Sequence, residues 1–372
     1  MEEFFNIWNY DANEALFTEE NIAIITAAEP KGKNFRLDYL EIVRTIPGLG
    51  IHPNIVPRKK KLSDVKQGED DNPDALFDVD GFDSDSNSLK SSGLSMDSTT
   101  LLCLLVVLQK YPSVTSLDLS NSGLNNKSID LLAKYLPETS VTGLILDYNN
   151  DIVSTCETLL SPKSRSSLHS FSVRGCNVND ECAARIAQTL WINGVLTELN
   201  LFGNQITDIG GIALAKMLRY NHSIVKLFLG NNRICRSFVN FAKAVSTTYG
   251  PLTDKEKRER EEVEALQQEN PAGSGGDKKS KKGKKGGNVA QPLRVDAMNA
   301  DSGICNGNDV LKFLDLTLNG PMTDEDSSAI REYFSKEETQ FCDSFRKLDA
   351  SGCYGIDEEL SKLISNKVEG TA

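Results

Sequence analysis

No apolar run in this sequence approaches the roughly 18 residues that a membrane-spanning helix needs. The longest, Leu101 to Leu108, reads as a buried helix face. Histidine is scarce: His52, His169 and His222 fall in separate segments, His169 at an interior-adjacent position of a strand, and none has a serine, cysteine or carboxylate placed for a triad. No glycine-rich phosphate loop follows a strand, since the Gly-Ser-Gly-Gly stretch at 273–276 lacks a strand-to-helix context. Catalysis is therefore not expected. Positive charge is also in deficit, with 41 Lys and Arg against 53 Asp and Glu and a net charge of -12. That balance argues against a general nucleic-acid binder, which needs a clustered basic surface. The first residues, MEEFFNIWNY, lack the charged-then-apolar layout of a secretory signal. The 8 cysteines are then expected as reduced thiols of an intracellular protein. Cys176 and Cys182 are close, but no paired Cys or His accompanies them at zinc spacing, so neither metal nor cofactor is expected.

What the chain does have is a repeat. Five segments follow the pattern apolar-x-x-apolar-x-apolar-x-x-N/C/S-x-apolar: VTSLDLSNSGL from Val114, VTGLILDYNNDI from Val141, LHSFSVRGCNV from Leu168, LTELNLFGNQI from Leu196 and IVKLFLGNNRI from Ile224. Their starts step by 27, 27, 28 and 28 residues. The apolar-x-apolar centre predicts a short strand with alternate residues buried, at 117–119, 144–146, 171–173, 199–201 and 227–229. Asn149, Asn204 and Asn232 follow where the chain turns away, and a side-chain amide there can satisfy backbone groups left unpaired by the turn; Ser122 and Cys176 hold the same slot. Each strand should be followed by a helix, with apolar positions such as Ile129, Leu132 and Leu136, or Ala183, Ile186 and Leu190, or Ile212, Leu214 and Leu218. Asn179 and Thr207, each before acidic residues, predict helix N-caps.

No such unit can bury its apolar face alone, so stacking must stabilise it. The period and the full helix resemble the ribonuclease-inhibitor type of leucine-rich repeat. The resemblance implies an α/β fold, a curved solenoid with an inner parallel sheet and outer helices. LKFLDLTLNGPM from Leu311 predicts a sixth unit, with its strand at 314–316 beside the fifth and Asn319 in the turn slot. FRKLDASGCYGI from Phe345 fits more loosely, with Cys353 in the slot, and Met96 to Tyr111 reads as the helix of a degenerate first unit whose strand lies near Leu89.

The expected organisation is an aromatic and extended segment at 1–66, an acidic disordered linker at 67–87, repeats at 88–251, a charged helix and Lys-rich insertion at 252–309, and further repeats with a cap at 310–372. The DVDGFDSDS run in the linker lacks the carboxylate spacing and final Glu of an EF-hand. The insertion carries Lys278, Lys279, Lys281, Lys282, Lys284 and Lys285 in a tract without apolar residues, which could grip an acidic surface or be a solvated loop.

The flanking parts narrow the resemblance. The FNIWNY segment, the His52 to Pro57 stretch, repeats ending in LGNNRI, the LTDKEKREREE helix after them and the Lys-rich insertion before further repeats resemble leucine-rich-repeat proteins of motile cilia. This resemblance implies a non-enzymatic scaffold of the cilium or flagellum axoneme, in the cytoplasm and cytoskeleton, that binds axonemal microtubule-associated proteins or tubulin within a larger complex. No membrane contact is expected. The rival reading is a cytosolic GTPase-activating or adaptor protein of the same repeat type. The activators end in a strongly acidic tail whereas this chain ends in a mixed one, and no F-box-like helical segment precedes the repeats. If side chains alternate along each strand, the inner face presents Ile145, Arg174, Asn200, Phe202, Lys226, Phe228 and Phe313, the expected partner-binding residues.

Overall fold

The structure, a computed structural model, describes residues 10–56, 87–152, 156–164, 167–249, 304–305 and 307–369, with Arg258, Glu261 and Ala265 as isolated helical positions. The acidic linker apart from Asn87, the Lys278–Lys285 tract, and Phe4, Phe5 and Trp8 lie outside the described residues. The chain forms two compact units, Met1–Leu159 and Leu160–Ala372.

In the first unit two helices, α1 (Glu19–Thr26) and α2 (Phe35–Val43), precede the repeats. Strands β1 (Ser88–Lys90), β2 (Ser116–Asp118) and β3 (Gly143–Ile145) pair in parallel, Leu89 beside Leu117 and Leu117 beside Leu144. Helix α3 (Ser98–Leu108) follows β1, and α4 (Asn126–Tyr135) follows β2. The degenerate first unit thus has the strand and helix its sequence predicts. Every residue of α3 is buried, because α1 and α2 cover the side that an outer helix normally shows to water. Glu14 completes the cover: its carboxylate accepts from the Ser98 amide at 2.9 Å and the Ser98 hydroxyl at 3.0 Å, at the open N-terminus of α3. The stretch around His52 is compact where the sequence suggests an extended chain. The amides of Ile55 and Val56 both turn back to the His52 carbonyl, and Ile51, His52, Ile55 and Val56 are buried.

The second unit contains β4 (Ser170–Ser172), β5 (Glu198–Asn200), β6 (Lys226–Phe228), β9 (Phe313–Asp315) and β11 (Lys347–Asp349), all parallel and in register through Phe171, Leu199, Leu227, Leu314 and Leu348. Helices α5 (Asp180–Leu190), α6 (Asp208–Tyr220), α7 (Phe238–Ala244), α8 (Asp324–Ser335) and α9 (Glu358–Glu369) follow their strands. The fold is a leucine-rich-repeat solenoid of alternating strands and helices. Leu311 to Leu316 join the sheet beside β6, as the sixth unit requires. The insertion before it leaves through a small antiparallel sheet in which β7 (Ser246–Tyr249) pairs with β8 (Ile304–Cys305) and with β10 (Gln340–Phe341).

Three local expectations need correction. Each strand begins one residue earlier than predicted, because the ladder triplet centres on the first apolar residue. The second apolar residue remains buried just beyond it, as Leu119, Leu201 and Leu229 are at 0% exposure. The repeat starting at Val141 has no α-helix among its described residues, only 3-10 turns at Asn150–Ile152, Cys156–Leu160 and Pro162–Ser164. Pro162 has no amide to donate, and the Ser164 hydroxyl bonds the Ser161 carbonyl, competing with helical pairing. Ile212 is 47% exposed where burial is expected. The inward positions of α6 are taken by Gly210, Gly211, Leu214, Ala215, Met217 and Leu218.

Within each unit, side-chain ladders tie neighbouring repeats together. The Asn204 carboxamide oxygen accepts from the amides of Cys176 and Val178, both at 3.0 Å, and its nitrogen donates to the carbonyls of Val173 at 3.0 Å and Leu201 at 2.9 Å. Asn149 repeats this arrangement in full, while Asn232 and Asn319 make the same two donations and accept from one amide each, of Ile206 and Ile234. The residue before each of these slots has positive φ: Asn121, Tyr148, Gly175, Gly203, Asn231, Leu318 and Gly352.

Two further ladders have no counterpart in the sequence reading. Asn221 donates to the carbonyls of Leu190 at 2.8 Å and Asn193 at 2.9 Å, and Asn308 donates to those of Leu218 and Asn221 one turn further on. Asn308, inside the segment expected as insertion (252–309), therefore already belongs to the periodic structure, and the expected boundary falls slightly late. On the helix side, Asp180 accepts from the Thr207 and Gly210 amides and the Thr207 hydroxyl. Asp208 does the same for Cys235 and Ser237. Each acid thus caps the next helix along. Gly210 permits the approach: a Cβ there would lie 2.7 Å from Asp180 Oδ1 and 3.0 Å from Ala183 Cβ.

Candidate functional site: the open sheet face

Along the solenoid strands the central residue is buried, so its neighbours point to the opposite face. In the first unit that face carries Ser116, Asp118, Ser120, Gly143, Ile145 and Asp147, all half-buried. Asp118 is occupied locally, accepting from the amide and hydroxyl of Ser120 at 3.0 and 2.6 Å. Ile145 is the large apolar side chain among these positions.

The second unit presents an aromatic surface. The Arg174 guanidinium lies 4.6 Å from the centroid of the Phe202 ring. That ring lies over Gly230, where a Cβ would come within 2.7 Å of Phe202 Cε2 and 2.5 Å of Thr317 Oγ1. Beside it, Phe228 and Phe313 meet with ring centroids 5.3 Å apart at 52°. Lys347 covers the outer end, its ammonium 5.6 Å from the Phe313 centroid and 2.8 Å from Asp349 Oδ2. The hydrogen bond to Asp349 raises the Lys347 pKa, which keeps the cation charged. Lys226 pairs with Glu198 at 3.0 Å on the adjacent strand. All three rings are half-buried, held by one another and by cations, and each keeps part of its surface open.

Of the residues expected on this face, Arg174, Phe202, Lys226, Phe228 and Phe313 come together on the second unit. Asn200 is on the same face, but its side chain accepts from the Phe202 amide at 3.0 Å and shapes the turn rather than standing free. Asp315 makes the equivalent bond to the Thr317 amide at 2.8 Å. The sequence signal for this role is a short polar residue two positions before the turn residue whose amide it accepts.

The titratable residues elsewhere do local work. His169 is exposed, next to the buried Leu168, and its Nδ1 lies 2.8 Å from the Ser167 carbonyl. His222 Nδ1 is 2.8 Å from Asp309. Burial pushes the His52 imidazole down to about 4, with the Tyr10 ring 4.7 Å away and the Ser91 hydroxyl at 3.4 Å from Nδ1. Burial likewise pushes the thiols of Cys235 and Cys353 up to about 11, which disfavours the nucleophilic thiolate. Among the described residues no group of three or more His, Cys, Asp or Glu could hold a metal ion, and no helix is long and apolar enough to cross a membrane.

A family match agrees with this repeat pattern. A family model described as Leucine Rich repeat matches residues 193–215, which run from the ladder residue Asn193 through β5 into α6. A solved structure, "Leiomodin-1 Actin-Binding Site 2 (ABS2)", is 22% identical over 37% of this chain and 68% of that one, with a TM-score of 0.25. The family match agrees with the repeat read from Leu196, and leucine-rich repeats are a class of structure suited to binding other proteins.

Proposed function

We propose that this protein is a non-catalytic scaffold that docks a protein partner on the open sheet face of its second unit, within the axoneme of a motile cilium or flagellum. The observation that carries the docking surface is the strip formed by Phe202, Phe228 and Phe313 with Arg174 and Lys347 over its ends. Solvated sheet faces seldom spend large aromatic side chains on water, and rigid, partly open rings flanked by cations are typical interface anchors. The axonemal setting rests on the layout of segments around the repeats, and it makes microtubule-associated proteins or tubulin the partners. The tract from Lys278 to Lys285 then adds a salt-sensitive contact to acidic tails.

The test is a double substitution, Phe202→Ser with Phe228→Ser, assayed by co-sedimentation with demembranated axonemes and by thermal melting. Each aromatic anchor is worth ~2 kcal/mol or more, about 30-fold in affinity, so losing both should weaken binding well beyond ~30-fold. The melting temperature should stay within ~3 °C of the parent, because the rings are only half-buried. Loss of stability with unchanged binding would make the strip internal packing and sink the proposal.

A further inference from the structure

A second anomaly lies on a different edge of the second unit, where the chain turns from strand to helix. In the turn slot that requires positive φ, this unit uses Gly175, Gly203, Asn231 and Gly352, residues that adopt the left-handed region readily. The slot between Asn231 and Gly352 holds Leu318, with φ of 56°. Leucine there costs backbone strain that burial offsets only in part, since Leu318 is 54% exposed. Its side chain reaches over the next turn, where a Cβ on Gly352 would lie 2.6 Å from Leu318 Cδ2. Tyr354 stands two residues beyond that glycine at 76% exposure, its Cβ against Gly320, and Pro321 is exposed beside them. The two most water-exposed large apolar side chains of these last repeats thus share one edge, and folding explains neither.

The rim of this patch has one dominant sign. The starts of α8 and α9 carry five exposed carboxylates, Asp324 and Glu325 on one, Asp357, Glu358 and Glu359 on the other. The cations paired with these five are three, each already shared: Arg236 between Glu325 and the buried Asp326, Arg331 between Asp357 and Glu359, and Lys362 with Glu358. An apolar centre with a negative rim fits a chain segment of opposite design.

We propose that this turn edge is a second docking surface, for a partner protein segment that carries lysine or arginine beside a large apolar side chain. The apolar group packs on Leu318 and Tyr354, and the cations face the carboxylates at the two helix starts. It is separate from the aromatic strip of the sheet face, so either surface can fail without the other.

The probe is a fluorescein-labelled ten-residue peptide with two leucines flanked by lysines, titrated against the full chain by fluorescence anisotropy. A glutamate-flanked counterpart serves as control. The lysine peptide should bind, more weakly as salt rises, and the glutamate peptide should not. Leu318→Asn and Tyr354→Ser should each weaken binding at least tenfold. Asparagine accepts positive φ, so Leu318→Asn should melt at or above the parent temperature. Phe202→Ser with Phe228→Ser should leave the peptide affinity unchanged. The proposal is overturned if the lysine peptide does not bind, if both peptides bind alike, if the two edge variants retain parental affinity, or if Leu318→Asn lowers the melting temperature by several degrees.

Discussion

Replacing Asn204 with alanine removes hydrogen bonds at a site where few alternatives exist. The carboxamide is 7% exposed and serves the Cys176 and Val178 amides and the Val173 and Leu201 carbonyls. Leu201 would not be orphaned, since its carbonyl also accepts from Asn232 Nδ2 at 3.0 Å. Three backbone groups remain to be counted, each costing ~1–3 kcal/mol if left unsatisfied in the interior. Water admitted into the vacated space can rebond part of that set, so the net loss should fall near ~3–5 kcal/mol. Urea unfolding gives the free energy, and amide hydrogen exchange reads the mechanism. Protection at Cys176 and Val178 should drop more than at Leu199, which keeps its strand pairing. Asn204→Cys should lose about half as much, because in the last repeat the thiol of Cys353 fills the same slot and donates to the Leu316 carbonyl at 3.0 Å. A loss below ~1 kcal/mol, or exchange unchanged at both amides, would refute the ladder as a source of stability.

Two further outcomes follow from the core and from His52. Leu201→Ala should cost ~2–5 kcal/mol in urea unfolding, because Leu201 is fully buried between repeats that cannot collapse into the cavity; a cost under ~1 kcal/mol would contradict its placement. The His52 imidazole is held at about 4 against its usual 6.5, so the unfolded chain takes up a proton that the folded chain refuses. The associated stability is complete above pH 6.5 and is lost as pH falls toward 4, a total of about 3 kcal/mol. The His52→Phe variant should show a flatter pH dependence over that window, and an equal slope in both proteins would remove His52 as its source.

The recurrence of one strand-and-turn pattern every 27 or 28 residues was enough to specify the solenoid, its buried leucines and the Asn slot. Those features depend on local chemistry that repeats: side-chain alternation, an amide at a turn, and an N-cap before an acidic first turn. The sequence also placed Phe202, Phe228 and Phe313 on one face, since a strand allows only two directions. Tertiary structure decided what each side chain meets. Asp180 and Asp208 read as ordinary first-turn acids until stacking brings the next helix start within bonding distance. Asn221 and Asn308 are 87 residues apart, and only the fold makes them consecutive ladder members. Ile212 has a helix-face period, yet Gly210 and Gly211 set the packed side and turn it outward. Leu318 is unremarkable as a letter and becomes an anomaly only once its backbone is known to be left-handed and its side chain open to water. Periodicity is a property of the chain alone, whereas contact between repeats is fixed by how the units stack.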